Sequence, residues 1–177
     1  MDNRQTQNYN LLMDDLIPTE ERKKQIYELY KFIFHSKFAE HKRENLLNHA
    51  FTYEPWSWRV IGITTNALVE FKKNNFRYKT GTFYREHFKQ ARHITMRKML
   101  SNLMEYEKWW EWYWDNDKTI IVLGDERDKK NTIRSKIIDI DWKLGYFEMA
   151  KLVGFKFSVK KEGEFLKKLA SENNIDT

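Results

Sequence analysis

Seven tryptophans, nine tyrosines and twelve phenylalanines set the strongest constraint on how this chain can fold. Aromatic rings bury large areas and pack in a restricted set of geometries, so the core must be rich in them, with any remaining rings left for a binding surface. No cysteine is present, which removes disulfides, thiolate zinc sites and cysteine nucleophiles together. At 177 residues a hydrophobic core suffices without such staples. Two prolines, six glycines and no stretch rich in Ser, Gly and Pro give no linker signal, and no internal repeat is seen. The expectation is one domain over residues 1–177, with residues 1–12 a frayed polar tail.

Pro18, Thr19, Glu20 and Glu21 start a helix with acids at its positive end. Ile26, Leu29, Tyr30, Ile33 and Phe34 recur at helical spacing and carry it to Ser36, and Ala39 to Ala50 continues as a second helix. After Pro55, Trp58 to Ile63 has the β-branched and aromatic makeup of a strand. Thr64, Thr65 and Asn66 are candidate caps for a helix that ends at Asn74 and Asn75. Lys79, Thr80 and Gly81 predict a turn, and Tyr84, Phe88, Ala91 and Met99 a long helix from Thr82 to Leu103. Trp110, Trp112 and Trp114 alternate as in a strand, while Trp109, Trp110 and Tyr113 would also suit one helical face; the ring content favours the strand. Thr119 to Leu123 predicts another, paired as a hairpin with Thr132 to Ile140. A short helix at Tyr146 to Leu152, a strand at Phe155 to Val159 and an amphipathic helix at Glu162 to Ala170 complete the chain. The sum is an α+β fold: N-terminal helices followed by a small, mainly antiparallel sheet flanked by helices.

Charge is distributed unevenly. Residues Phe71 to Lys98 hold nine of the thirty-two Lys and Arg side chains and one acid, Glu86, for a net charge of +8 within a chain of net charge +6. Surface helices ordinarily mix signs and gain from i,i+4 pairs, whereas cations without acids repel one another unless a partner supplies anions. Phe76, Tyr78, Phe83, Tyr84 and Phe88 are interleaved with the cations. Cations beside flat rings suit phosphates beside unpaired bases. The segment predicts a surface for nucleic acid, DNA or RNA, built on a basic helix from Lys72, Lys73, Arg77, Lys79, Arg85, Lys89 and Arg92.

The predicted hairpin sets Asp117, at the start of one strand, across from Asp141 and Lys143 at the end of the other. Two carboxylates and a lysine suit phosphodiester hydrolysis: carboxylate oxygens hold Mg²⁺, the metal polarises phosphate and water, and the lysine stabilises charge. With helix, three strands, helix and strand expected over residues 82–160, this stretch resembles the αβββαβ core of the PD-(D/E)xK nuclease superfamily, with Asn116 where the motif often has proline. The resemblance implies a magnesium-dependent nuclease in which Asp117 and Asp141 are metal ligands and Lys143 is the catalytic lysine. Asp125 and Glu126, on the loop between the two strands, are either further ligands or part of a solvated tip. Metal-free RNA cleavage would instead draw on His87 and His93 with Arg85 and Arg92.

No P-loop, GxGxxG, HExxH or G-x-S-x-G motif occurs, so nucleotide hydrolases, dinucleotide enzymes, zinc proteases and serine hydrolases lose their usual support. The competing reading is a non-catalytic binding or inhibitor protein of phage or mobile-element type acting on a nucleic-acid enzyme. Its contact patch with another protein would be the region from Trp109 to Trp114. The N-terminal residues lack a signal-peptide pattern and no apolar run is long enough to span a bilayer, so a cytoplasmic protein without a membrane span is expected.

Overall fold

The computed structural model describes residues 16–52, 54–127, 135–147 and 159–175. In chain order its elements are α1 (Glu20–His35), α2 (Glu40–Thr52), β1 (Val60–Thr64), α3 (Thr65–Lys73), β2 (Phe83–His87), α4 (Arg92–Ser101), α5 (Tyr106–Asn116), β3 (Thr119–Leu123) and β4 (Ile137–Asp139), followed by a 3-10 turn (Trp142–Leu144), a π turn (Val159–Gly163) and α6 (Glu164–Glu172). The architecture is α+β, with helices at the N-terminus. The chain divides into two units: unit 1 takes the chain up to Trp58 and then His87–Lys118, and unit 2 takes Arg59–Glu86 and the chain from Thr119 onward.

Unit 1 is helical and its core is aromatic. The Thr19 side chain caps α1 by accepting the Arg22 N–H at 3.1 Å, with Glu20 and Glu21 in the first turn. Ile26, Tyr30 and Ile33 of α1 meet Leu47 and Phe51 of α2, Met96 and Met99 of α4, and Trp109 and Tyr113 of α5 in one buried cluster. The Phe51 and Tyr113 rings stack with centroids 3.7 Å apart, and Trp109 lies 5.8 Å from both Phe51 and Tyr30. The Tyr30 hydroxyl donates to the Met99 carbonyl at 2.8 Å and accepts the Met104 N–H at 2.9 Å, so its burial leaves no polar group unmet.

Two expectations are corrected in this region. The tryptophan run is the helix α5 rather than a strand, because Trp109 and Tyr113, four residues apart, are both 0% exposed on one face, while Trp110, Trp112 and Trp114 are only partly buried. The helical period serves the core where the alternating one does not. The long basic helix over 82–103 is also absent: residues 83–87 form β2 and the helix begins only at Arg92. Phe83 is buried with its ring stacked 3.7 Å from that of Phe71, which fixes this stretch as sheet.

Unit 2 is built on a four-stranded sheet of order β2-β3-β1-β4. Strand β1 pairs parallel with β3, Val60 facing Thr119 and Ile63 facing Ile121, and antiparallel with β4, Gly62 facing Asp139 and Thr64 facing Ile137. The Gly124 N–H donates to the Thr82 carbonyl and the Phe88 N–H to the Lys118 carbonyl, the antiparallel sense for β2 beside β3. The expected hairpin is therefore corrected: β1, apolar and buried along most of its length, separates β3 from β4. Gly62 permits that close packing, since a Cβ there would lie 2.7 Å from Ile137 Cγ2 and 3.1 Å from the Ile138 carbonyl oxygen. Residues 132–134 of the predicted hairpin, 148–152 of the predicted short helix and 155–158 of the predicted later strand lie outside the described residues.

Helices α3 and α6 supply Ala67, Leu68, Phe71, Leu166, Leu169 and Ala170 to the core that also contains Val60, Ile63, Phe83 and Ile121. Both helices end on an Asn-Asn pair. Asn75 (φ 52) and Asn174 (φ 49) take the left-handed conformation, and the next N–H groups reach back to close the helices, Phe76 to the Phe71 carbonyl at 2.7 Å and Ile175 to the Ala170 carbonyl at 3.0 Å.

Glu126 is a buried strut rather than part of a solvated tip: it is 2% exposed. Its carboxylate accepts from the Thr64 hydroxyl, the Leu123 N–H at 3.1 Å, the Ser135 N–H at 3.1 Å and the Ser135 hydroxyl at 2.7 Å, tying the ends of β1 and β3 to the segment leading into β4. Burial opposes its ionisation, but the hydrogen bonds from Thr64, Ser135 and Leu123 outweigh it and hold the carboxyl below the ordinary glutamate range. A lowered folded-state pKa means stability that is present above the unfolded pKa and lost as pH falls through the folded one. Glu126→Gln is expected to lower the unfolding free energy by about 1.5–3 kcal/mol near neutral pH, because a buried charge-assisted set is broken. In urea unfolding followed by circular dichroism that deficit should shrink at about pH 3, and a deficit independent of pH would contradict the role assigned to the carboxylate.

Candidate functional site

The residues predicted to act together fall into two environments, the first buried in unit 1. Arg92, at the start of α4, is 8% exposed. Its Nη1 donates to Asp117 Oδ1 and to Ser57 Oγ at 3.3 Å, Nη2 to Thr52 Oγ1 at 3.4 Å, and Nε to Asn48 Oδ1. The guanidinium carbon also lies 4.8 Å from the Trp58 ring centroid and 5.9 Å from that of Tyr113. Asp117, the C-cap of α5, is 1% exposed and accepts the Trp58 N–H on Oδ2 at 2.7 Å. His87 Nε2 stands 3.8 Å from Asp117 Oδ1, with its ring 4.5 Å from that of Trp58. Ser57 and Tyr113 hydroxyls are 3.1 Å apart, and burial, with the Asp117 carboxylate next, holds the Tyr113 hydroxyl well above the ordinary phenol range. Trp58 has φ 61, a left-handed conformation costly for a bulky residue, fixed here by its N–H bond to Asp117.

This cluster is a clamp, not an open site. Both Asp117 oxygens are engaged by protein donors, one of them a guanidinium, which does not fit a magnesium ligand. Asp141 is exposed and caps the 3-10 turn by accepting the Lys143 N–H at 3.0 Å; the Lys143 side chain is also exposed. Asp117 belongs to unit 1 and Asp141 and Lys143 to unit 2, and the hairpin that was to join them is not formed. Among the described residues no group of three or more His, Asp and Glu side chains is placed to hold a metal ion. His93 is exposed on α4, whereas His87 is 7% exposed within the clamp.

The basic segment divides in the same way. The acids missing from within it come from elsewhere in the chain. Arg92 meets Asp117, Lys89 meets Asp115, and Arg97 meets Glu44 at 2.9 Å. Hydrogen bonds from Lys118 and Lys89 hold the Asp115 carboxyl below its ordinary range. The Arg85 Nε and Nη1 are out of contact with solvent, and burial lowers its pKa to about 10 against the opposing charge of Glu162, itself 6% exposed. In unit 1 Lys89, Arg97 and Lys98 are exposed; in unit 2 Lys73, Arg77 and Lys79 are exposed, Lys73 with Glu70 at 3.9 Å, and half-buried Lys72 donates to the Ile175 carbonyl at the end of α6.

Beside those residues unit 2 carries a groove of about 690 Å³ lined by Asn75, Phe76, Lys160, Gly163, Glu164 and Lys167. The turn ending α3 presents Asn75 and Phe76, and the π turn running into α6 presents Lys160 and Lys167, both exposed and seven residues apart. Lys160 and Lys167 were missed in the sequence; the signal is the Lys-Lys pair repeated at that interval in KKEGEFLKK. A second groove, of about 760 Å³, lies in unit 1, where Trp112 and Trp114 sit among Lys89, Lys108, Glu111 and Asp115, a balanced set of charges.

The chain matches no known protein family, curated protein or solved structure. No helix among the described residues is long and apolar enough to cross a membrane.

Six of the seven tryptophans lie in unit 1, so their fluorescence reports its unfolding. Asp117→Asn should lower the stability read this way by about 3–5 kcal/mol, because it strands a buried guanidinium. Asp141→Asn, at an exposed cap, should cost about 1 kcal/mol or less. Equal, small effects would return Asp117 to the candidate catalytic groups.

Proposed function

We propose that this protein binds nucleic acid through unit 2, at the groove between the end of α3 and the start of α6. The observation that carries the reading is a groove that joins two stretches distant in sequence, an aromatic ring from one and two exposed lysines from the other. Phe76, a neighbour of Lys72, Lys73 and Arg77, shares one groove with Lys160 and Lys167, with one acid, Glu164, on its wall. Phosphate recognition asks for exposed cations that are not already neutralised, and an aromatic face among them adds a contact that a simple solubilising surface has no use for. Arg92 is buried against Asp117 and Arg85 is withdrawn from solvent, so both contribute to folding rather than to the interface; Lys89 is exposed in unit 1 and paired with Asp115. No hydrolytic step follows from this geometry, because Asp117 is committed to Arg92 and the Trp58 N–H. The charge-balanced Trp112 and Trp114 groove of unit 1 suits a protein partner better than a polyanion.

The test is fluorescence anisotropy of a labelled oligonucleotide across a series of salt concentrations. Lys160→Ala combined with Lys167→Ala should weaken binding and shallow the slope of log K against log salt by about 1.4, the value for two phosphate contacts on a single strand. An unchanged slope would remove the groove from the interface. Arg85→Ala should instead lower stability and leave the slope of the folded protein unchanged.

A further inference from the structure

We infer that the groove selects single-stranded nucleic acid, with one unpaired base stacked on the Phe76 ring and the adjoining phosphates on Lys160 and Lys167. This deepens the reading of the groove as a nucleic-acid site and rests on it. The starting observation is a backbone anomaly. Phe76 has φ 55, directly after Asn75 at φ 52, so two successive residues with side chains occupy the left-handed region. The cap of α3 requires only the first. The same motif closes α6, where Asn174 is left-handed at φ 49 and the following Ile175 is not, although its N–H makes the equivalent closing bond. The second left-handed residue is thus not demanded by the helix end. A ring-bearing L residue rarely adopts it, and such conformations gather where a side chain is held for use.

The consequence of that conformation is the position of the ring. Phe76 is half-buried: it packs against the core cluster that includes Phe71, and it lines the same groove as the two lysines. A ring anchored in this way is a rigid platform and loses little freedom on binding. Lys160 approaches from a π turn, a local widening of the helix that is frequent at functional sites, and Lys167 from the α6 helix that follows it. Asn75 and Glu164 complete the lining and offer hydrogen-bonding groups to the edge of a base. A duplex presents phosphates but hides base faces in its stack, so the lysines alone would serve it and the ring would have no counterpart.

The experiment uses the full chain and labelled oligonucleotides of equal length: single-stranded DNA, single-stranded RNA, a duplex, and a single strand of abasic sites that keeps phosphates and lacks bases. The parent should bind the base-bearing single strands more tightly than the duplex and the abasic strand. Phe76→Leu, checked for folding by urea unfolding, should weaken binding to base-bearing single strands by about tenfold while leaving the salt slope and the abasic affinity unchanged. Phe76→Tyr, which keeps the ring, should restore near-parental affinity. Equal loss on the abasic strand, no loss on any strand, or duplex binding as tight as single-strand binding would overturn the inference. If Lys160→Ala with Lys167→Ala still weakens binding in that event, the groove remains a polyanion site and only the stacking falls; if that double variant is also without effect, the underlying reading falls with it.

Discussion

A guanidinium and a carboxylate withdrawn from water each carry a penalty of several kcal/mol even after relaxation. Unit 1 offsets that penalty at Arg92 and Asp117 by turning four further polar groups toward the pair. Asn48 and Thr52 come from α2, Ser57 and the Trp58 N–H from the turn after it, Arg92 from the start of α4 and Asp117 from the end of α5. These elements are separated by long stretches of chain, and the network admits one arrangement of them. The aromatic cluster of Tyr30, Phe51, Trp109 and Tyr113 supplies most of the burial, but rings alone tolerate sliding and repacking. The clamp gives the helical unit its register and holds Trp58 in a conformation it would otherwise leave.

That commitment has a functional corollary. A chain of net charge +6 with a local excess of +8 looks like one large anion-binding surface, yet part of the excess is internal. Arg92, Lys89 and Arg97 are answered by Asp117, Asp115 and Glu44, and Arg85 faces Glu162. Lys89, Arg97 and Lys98 stay exposed in unit 1, and the unit 2 footprint comprises Lys73, Arg77 and Lys79 with half-buried Lys72. It then gains Lys160 and Lys167 from a helix far along the chain. In the proposed reading the ligand surface is smaller than the basic segment, with the Phe76 ring in one groove with two lysines.

Several elements were legible in the sequence because their signals are local. A helix starts after Pro18 and Thr19, Thr64 caps α3 as expected, the Asn74 and Asn75 pair ends that helix, and Thr119 to Leu123 is a strand. The errors arose where a local pattern had two solutions and a distant partner decided. Trp109 and Tyr113 fit a helical face, Trp110, Trp112 and Trp114 an alternating one, and the choice fell to the rings of α1 and α2 that cover Trp109 and Tyr113. Tyr84 and Phe88 suggested a helix, but the stacking of Phe83 on Phe71 makes this stretch an edge strand. The hairpin between β3 and β4 was plausible from adjacency, and nothing nearby announces that β1 inserts between them. The candidate site depended on that pairing, which set Asp117 across from Asp141 and Lys143.

In the proposed reading exposed cations of unit 2 hold the ligand, while Arg92 with Asp117, and Arg85, serve the fold. Hydrogen-deuterium exchange of the whole chain, with and without a saturating single-stranded oligonucleotide, tests it most directly. The account predicts added protection over Lys72 to Lys79 and Lys160 to Lys167, with exchange from Lys89 to Asp117 unchanged. Protection centred on Lys89 to Asp117, with the groove unaffected, would contradict it.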